Sequence, residues 1–271
     1  MERKEWTVVL GVSSGTGEAL ARAAARDLHH DIFGMHRGNH PETAAALAED
    51  VRNAGCRAEL VIGDAGTLEG VRAGADALLA AAGPRSVRCF VHSLANASLG
   101  RFTSGGADQF VPRQFEKTFA SMAHSFVWWT QEMLARDLLA PNARLFALTN
   151  PLHESMLRQC GMVLAAKCAL EAYVKHLAYE LGPRGHRVNL LKFSTVFSTA
   201  VERVYSAETL ARLDELHRQM IPARRMSSPE ETARFLTLLV DPRADFLNSA
   251  TIDFTGGMTQ SLLDIVLNGA P

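Results

Sequence analysis

The chain has 271 residues, 47% hydrophobic and 21% charged, a balance that excludes disordered, collagen-like and coiled-coil classes. With 28 Lys and Arg against 29 Asp and Glu the formal net charge is −1, so no global field gathers nucleic acid or an anionic membrane surface. The start lacks an apolar signal core, no stretch approaches the roughly 20 apolar residues of a membrane span, and the four cysteines form no C-x-x-C pair, so one cytoplasmic domain with reduced thiols and no metal site is expected.

In chain order, short β-branched runs predict strands over 7–10, 31–35, 58–62, 87–92, 144–148, 187–191 and 251–254. Between them, Ala-, Leu- and Arg-rich stretches predict helices near 16–28, 41–54, 67–82, 109–139, 160–182, 206–219 and 229–239. This is the βαβ rhythm of a seven-stranded parallel sheet covered on both faces, a doubly wound α/β fold. Connections stay short until 193–228, where a polar and aromatic stretch with an inserted helix is read as a substrate lid.

Gly11-Val12-Ser13-Ser14-Gly15-Thr16-Gly17 follows the first strand and opens the first helix. Glycines there permit a tight turn and let helix N–H groups point at a pyrophosphate, which makes Gly11, Ser13, Ser14, Gly15 and Gly17 candidate dinucleotide ligands. The plainer alternative is a turn that merely saves space. After the second strand His36 and Arg37 stand where an adenosine ribose would lie, and a cation in place of a carboxylate favours the 2′-phosphate of NADP over NAD. A solvated loop arginine is the alternative for Arg37. Asp64, past the third strand, suits either an adenine amino group or a turn.

Taken with later segments, these glycines make the chain resemble the short-chain dehydrogenase/reductase family over almost its whole length. Gly11-x-x-x-Gly15-x-Gly17 is similar to the family's nucleotide turn. Leu170-Glu171-Ala172 through Glu180-Leu181-Gly182-Pro183-Arg184-Gly185-His186-Arg187-Val188-Asn189 resembles its long interface helix and sixth strand. Phe254-Thr255-Gly256-Gly257 is similar to the glycine pair after its last strand, and Pro229-Glu230-Glu231-Thr232-Ala233 to its late helix start. Phe90-Val91-His92-Ser93-Leu94-Ala95 and Pro222-Ala223-Arg224-Arg225 resemble the enoyl-acyl-carrier-protein reductases within it, while the glycine spacing follows ordinary members. The resemblance implies a Rossmann-type sheet, Ser93 beside the cofactor, and a homo-oligomer, a tetramer, built on the helices near 109–139 and 160–182.

By the same resemblance Lys167, in Ala165-Ala166-Lys167-Cys168-Ala169-Leu170, is the active-site lysine that binds the nicotinamide ribose and supplies positive charge. Its alternative is a lysine snorkelling to solvent. The family's tyrosine is replaced: the two positions that carry it in relatives hold Val163 and Cys160. Thr149 and Asn150 end the fifth strand where relatives support the substrate carbonyl, or else simply terminate the strand at Asn150-Pro151. Met122 stands in place of an asparagine that holds a relay water. Candidates to take over the missing phenol are Cys160, His92, His153 and Tyr205, the last being the one tyrosine free to approach a substrate from the lid. In the stretch that binds the nicotinamide amide, Pro-Gly is absent, leaving the Val196 main chain and the Ser198 or Thr199 hydroxyl for those contacts. Phe102, Phe110, Trp128, Trp129 and Phe197 either line an acyl channel or belong to core and interface.

The expected activity is NADP(H)-dependent reduction of an enoyl or keto thioester, small or carrier-bound, with neither nucleic-acid nor membrane partners. The alternatives are a non-redox dehydratase, isomerase or cyclase on the same fold, and a non-catalytic NADP-binding subunit.

Overall fold

The computed structural model describes residues 4–151, 158–194 and 206–258. Seven strands form one parallel sheet: β1 (Trp6–Leu10), β2 (Asp31–His36), β3 (Ala58–Ile62), β4 (Val87–His92), β5 (Leu139–Thr149), β6 (Arg187–Phe193) and β7 (Thr251–Phe254), in the order β3-β2-β1-β4-β5-β6-β7. The chain starts in the middle, winds to one edge, then restarts beside β1 and winds to the other. Adjacent β1 and β4 therefore send their connections to opposite faces, which opens a crevice at their carboxyl ends.

All five residues of β1 are buried, as a parallel strand covered on both sides requires. Val8, Leu10, Phe90, Leu145, Ala147, Val188 and Leu190 face one core; Val9, Ile32, Val91, Phe146, Leu148 and Leu191 face the other. The first core is closed by α3 (Leu68–Ala82), α5 (Ser125–Ala135) and α6 (Gly161–Leu181), with α4 (Pro112–Phe119) packed on α6. The second is closed by α1 (Gly15–Asp27) and α2 (Pro41–Asn53), with α1 packed on α8 (Pro229–Leu238). Helix α7 (Ala207–Met220) lies between β6 and α8 in the chain. Among the described residues no helix is long and apolar enough to cross a membrane.

Two boundaries differ from the sequence expectation. The helix expected over 109–139 begins at Pro112, which lacks an N–H and suits a first turn, and it contains a π-helical turn, Ala120–His124, between α4 and α5. It stops at Asp137, whose φ is 52°, where the Leu138 N–H donates to Met133 O at 2.9 Å. Strand β5 starts at Leu139 rather than 144: Leu139 pairs with Val87 before Pro141 and Asn142 (φ 57°) interrupt the ladder, which resumes at Arg144.

Candidate active site

The glycine turn is a tight cradle. A Cβ on Gly11, whose φ is +82°, would lie 2.7 Å from Ser93 O, and one on Gly17 would lie 2.2 Å from Gly11 O. Strand β1, the end of β4 and the first turn of α1 are thus in backbone contact, which only glycine allows. Ser14 caps α1 in extended conformation (φ −166°, ψ 153°), and its side chain accepts no hydrogen bond from the helix N–H groups. The first-turn N–H groups of this helix are not consumed by their own cap and face the crevice, a geometry suited to a pyrophosphate.

At the end of β2 His36 is buried, and its Nδ1 accepts from Gly38 N at 3.2 Å, so the ring shapes the turn; burial lowers its pKa and keeps it neutral. Arg37 beside it is exposed and makes no ion pair among the described residues, leaving its guanidinium available to an anion. Asp64 Oδ1 accepts from Gly66 N at 2.9 Å, and its carbonyl accepts from Thr67 N, so one carboxylate oxygen belongs to a turn.

Around the carboxyl ends of β4–β6 several polar groups are buried on the side covered by α6. Thr149 is 2% exposed and its Oγ1 has no hydrogen-bond partner among the described residues. Lys167 is 7% exposed; its Nζ donates to Leu148 O at 2.7 Å, and burial pushes its pKa down to about 8. It is therefore a poorly solvated ammonium that remains charged at neutral pH. Asn150 is half-buried.

Cys160 occupies the N-cap position of α6 and is buried, which raises its thiol pKa, so it keeps its proton and is no ready nucleophile. Val163, half-buried on the same helix, carries no proton to give. His92 is fully buried. The Ser125 hydroxyl donates to Ser121 O at 2.8 Å, so it accepts from His92 Nε2–H, also at 2.8 Å; Nδ1 is then the bare ring nitrogen and finds no partner among the described residues. Burial, and after it the Lys167 charge, lower the His92 pKa to about 3, which removes this imidazole as an acid-base group at neutral pH.

The remaining tyrosines of α6 point elsewhere: Tyr173 Oη lies 3.0 Å from His124 Nδ1, and Tyr179 is exposed. Trp129 is core, its Nε1 donating to Ala65 O. Phe102, Phe110 and Phe115 instead cluster together, with the Phe102 ring lying against Gly161, the first residue of α6. His153, Val196, Phe197, Ser198, Thr199 and Tyr205 lie outside the described residues.

One residue that sequence reasoning passed over sits on the same face. Lys192 of β6 is 6% exposed, is paired in register with Thr149 on one side and Asp253 on the other, and its Nζ lies 3.0 Å from Asp253 Oδ2. Its signal was a charge within the apolar run Leu190-Leu191-Lys192-Phe193, on the parity of core-facing Leu190.

A family profile described as Enoyl-(Acyl carrier protein) reductase matches residues 11–259. The chain belongs to the short-chain dehydrogenase/reductase family, near its enoyl-reductase branch. It is an oxidoreductase of that family. Over 258 residues it is 24% identical to a 1-cyclohexenylcarbonyl-CoA reductase of Streptomyces collinus, covering 95% of this chain and 88% of the relative. Among solved structures it is similar to L-sorbose reductase from Gluconobacter frateurii complexed with NADPH and L-sorbose (TM-score 0.83, 19% identity, 96% and 98% of the two chains). It is also similar to a short-chain dehydrogenase from Burkholderia cenocepacia in complex with NADP (TM-score 0.78, 21% identity, 95% and 99%). Within this short-chain dehydrogenase/reductase frame, the cradle at Gly11 and Gly17 and the buried ammonium of Lys167 stand at the ends of β1 and β5, on either side of β4.

Proposed function

We propose that the protein is an NADPH-dependent reductase of an enoyl or keto thioester. The observation that carries this reading is the pairing of a backbone cradle, closed to any Cβ at Gly11 and Gly17 where β1 and β4 end, with a buried ammonium and a buried hydroxyl, unpartnered among the described residues, at the end of the next strand, β5. Gly11, Ser13, Ser14, Gly15, Gly17 and Ser93 would hold the pyrophosphate side of the cofactor, His36, Arg37 and Asp64 the adenosine side, and Lys167, Val196 and Ser198 the nicotinamide side. Bound NADPH would supply a hydride to the carbon β to the thioester carbonyl. Thr149 Oγ1 donates to the substrate oxygen, Asn150 adds an amide donor, and Lys167 contributes a poorly screened positive charge to the same region. Cys160, which keeps its proton, and Tyr205 are the proton-bearing groups left to discharge the product. The name of the Streptomyces collinus relative, a CoA-thioester reductase, supports the substrate class.

The same reading has one dinucleotide-binding domain, residues 193–228 acting as a lid, and a cytoplasmic homotetramer packed through α5 and α6, where Val127, Trp128 and Tyr173 are half-buried in the single chain. It is tested by calorimetric titration with NADPH and NADH, followed by NADPH oxidation in the presence of crotonyl-CoA. Tight binding of NADPH alone, with turnover, is the expected result. Binding without turnover assigns a binding subunit, and a changed thioester without NADPH loss assigns a non-redox enzyme.

A further inference from the structure

We propose that Lys192 is a second cationic donor of this site, which with Thr149 holds the negative charge developing on the thioester oxygen. The proposal rests on the thioester reading above. Thr149 and Lys192 are register partners on adjacent parallel strands, so their side chains leave the sheet on the same face, a strand spacing apart. That face also carries the Lys167 ammonium, and Lys192 is buried to the same degree as Lys167.

Structural economy does not explain the residue. A buried ion pair commonly stabilises a fold no better than apolar side chains of the same volume, and the neighbours of Lys192 along β6, Leu190 and Leu191, are fully buried and apolar. Asp253 is in addition already held by Thr255, whose N–H donates to Oδ1 at 3.0 Å. The carboxylate therefore ties the ammonium at the strand end from the β7 side, while on the β5 side the register partner of Lys192, Thr149, carries a buried hydroxyl that lacks a partner among the described residues. Among the described residues Lys167, Lys192 and Asp253 sum to one positive charge, an arrangement suited to an anionic intermediate.

The electron balance is simple. Hydride addition at the β-carbon moves the C=C pair towards the carbonyl carbon and the carbonyl π pair onto oxygen. The resulting enolate takes a proton at the α-carbon from one of the proton-bearing groups of that thioester reading, which regains it from water, and Lys192 keeps its protons throughout.

The test reads enolate stabilisation without turnover. Acetoacetyl-CoA is added to the protein loaded with NADP+, which cannot reduce it, and the enolate is followed by its own ultraviolet absorption at neutral pH. The wild-type protein is expected to enrich the enolate over free solution. Lys192→Met is expected to lower the enolate-to-keto ratio by about 10-fold or more, the range in which loss of one oxyanion donor falls. Lys192→Arg, which keeps charge and the Asp253 partner, retains most of the enrichment. Because Lys192→Met leaves Asp253 without its cation, the double variant K192M/D253N is measured beside it, with NADPH affinity as the check of fold. Thioester binding without enrichment in the wild type, or enrichment kept in the folded Met or double variant, overturns the proposal. Failure of acetoacetyl-CoA to bind at all sinks the thioester reading itself, and the role of Lys192 with it.

Discussion

Lys167 illustrates how one side chain links stability to chemistry. Burial moves its pKa from the ordinary 10.5 to about 8. Between those values the unfolded chain binds more protons than the folded one, so this residue's contribution to stability rises with pH from about 8 to 10.5. The penalty relieved is of the order of 3 kcal/mol, and Lys167→Met should flatten that rise in thermal melts taken across the window. Activity runs in the opposite direction, since the charge that supports the substrate oxygen is lost as pH climbs through about 8. Arg37 is the second informative position: exposed and unpaired among the described residues, it has nothing structural to lose. Arg37→Glu should leave the melting temperature within a degree or so of wild type, because substitutions at such surface positions are usually within about 0.5 kcal/mol. It should weaken NADPH by about 10-fold or more in calorimetry, as expected for loss of a charge-assisted hydrogen bond worth roughly 1.5–3 kcal/mol. Unchanged NADPH affinity would remove this residue from the cofactor site.

At the scale of elements, the helix pair α4–α5 holds the end of β4 in place through one buried hydrogen-bond chain, His92 to Ser125 to Ser121, across the π-helical turn. Ser125→Ala would leave the His92 Nε2–H without its acceptor where neither residue has any exposure, a loss of about 1–3 kcal/mol. Urea unfolding should show it as a lower midpoint with an unchanged slope. Nothing in the sequence announced this turn, because one extra residue barely alters helical periodicity over Pro112–Phe119 and Ser125–Ala135. Strands were legible wherever burial on both faces required a run dense in apolar and β-branched residues, as in Trp6–Leu10; the first part of β5 was hidden by Pro141 and Asn142, residues that ordinarily mark a turn. In the site, the glycine turn could be read because its spacing has a mechanical reason. The partner of His92 could not, since a hydrogen bond made across the fold, to Ser125, leaves no local pattern. Lys192 went unread for the same reason: only strand register places it beside Thr149 and Asp253.

For the whole molecule, the decisive feature is that one crevice is formed by both halves of the winding: β1, β2 and β3 on one side, β4 to β7 on the other, in contact at Gly11, Gly17 and Ser93. A ligand seated there touches residues from both halves, so it binds the folded sheet and not the unfolded chain, and its free energy of binding is added to the stability of the fold. At a hundredfold excess over Kd this amounts to about 2.7 kcal/mol, or an increase in melting temperature of roughly 5 °C for a chain of this length. NADPH should produce that rise and NADH, at the same concentration, much less. Gly17→Ala separates the cradle from the rest of the argument: its Cβ would stand 2.2 Å from Gly11 O, a backbone atom with no room to give. The variant should lose about 1–3 kcal/mol of intrinsic stability through overpacking, and the NADPH-induced shift should vanish with it. A Gly17→Ala protein that melts lower but still gains the full shift would place the cofactor somewhere other than this turn.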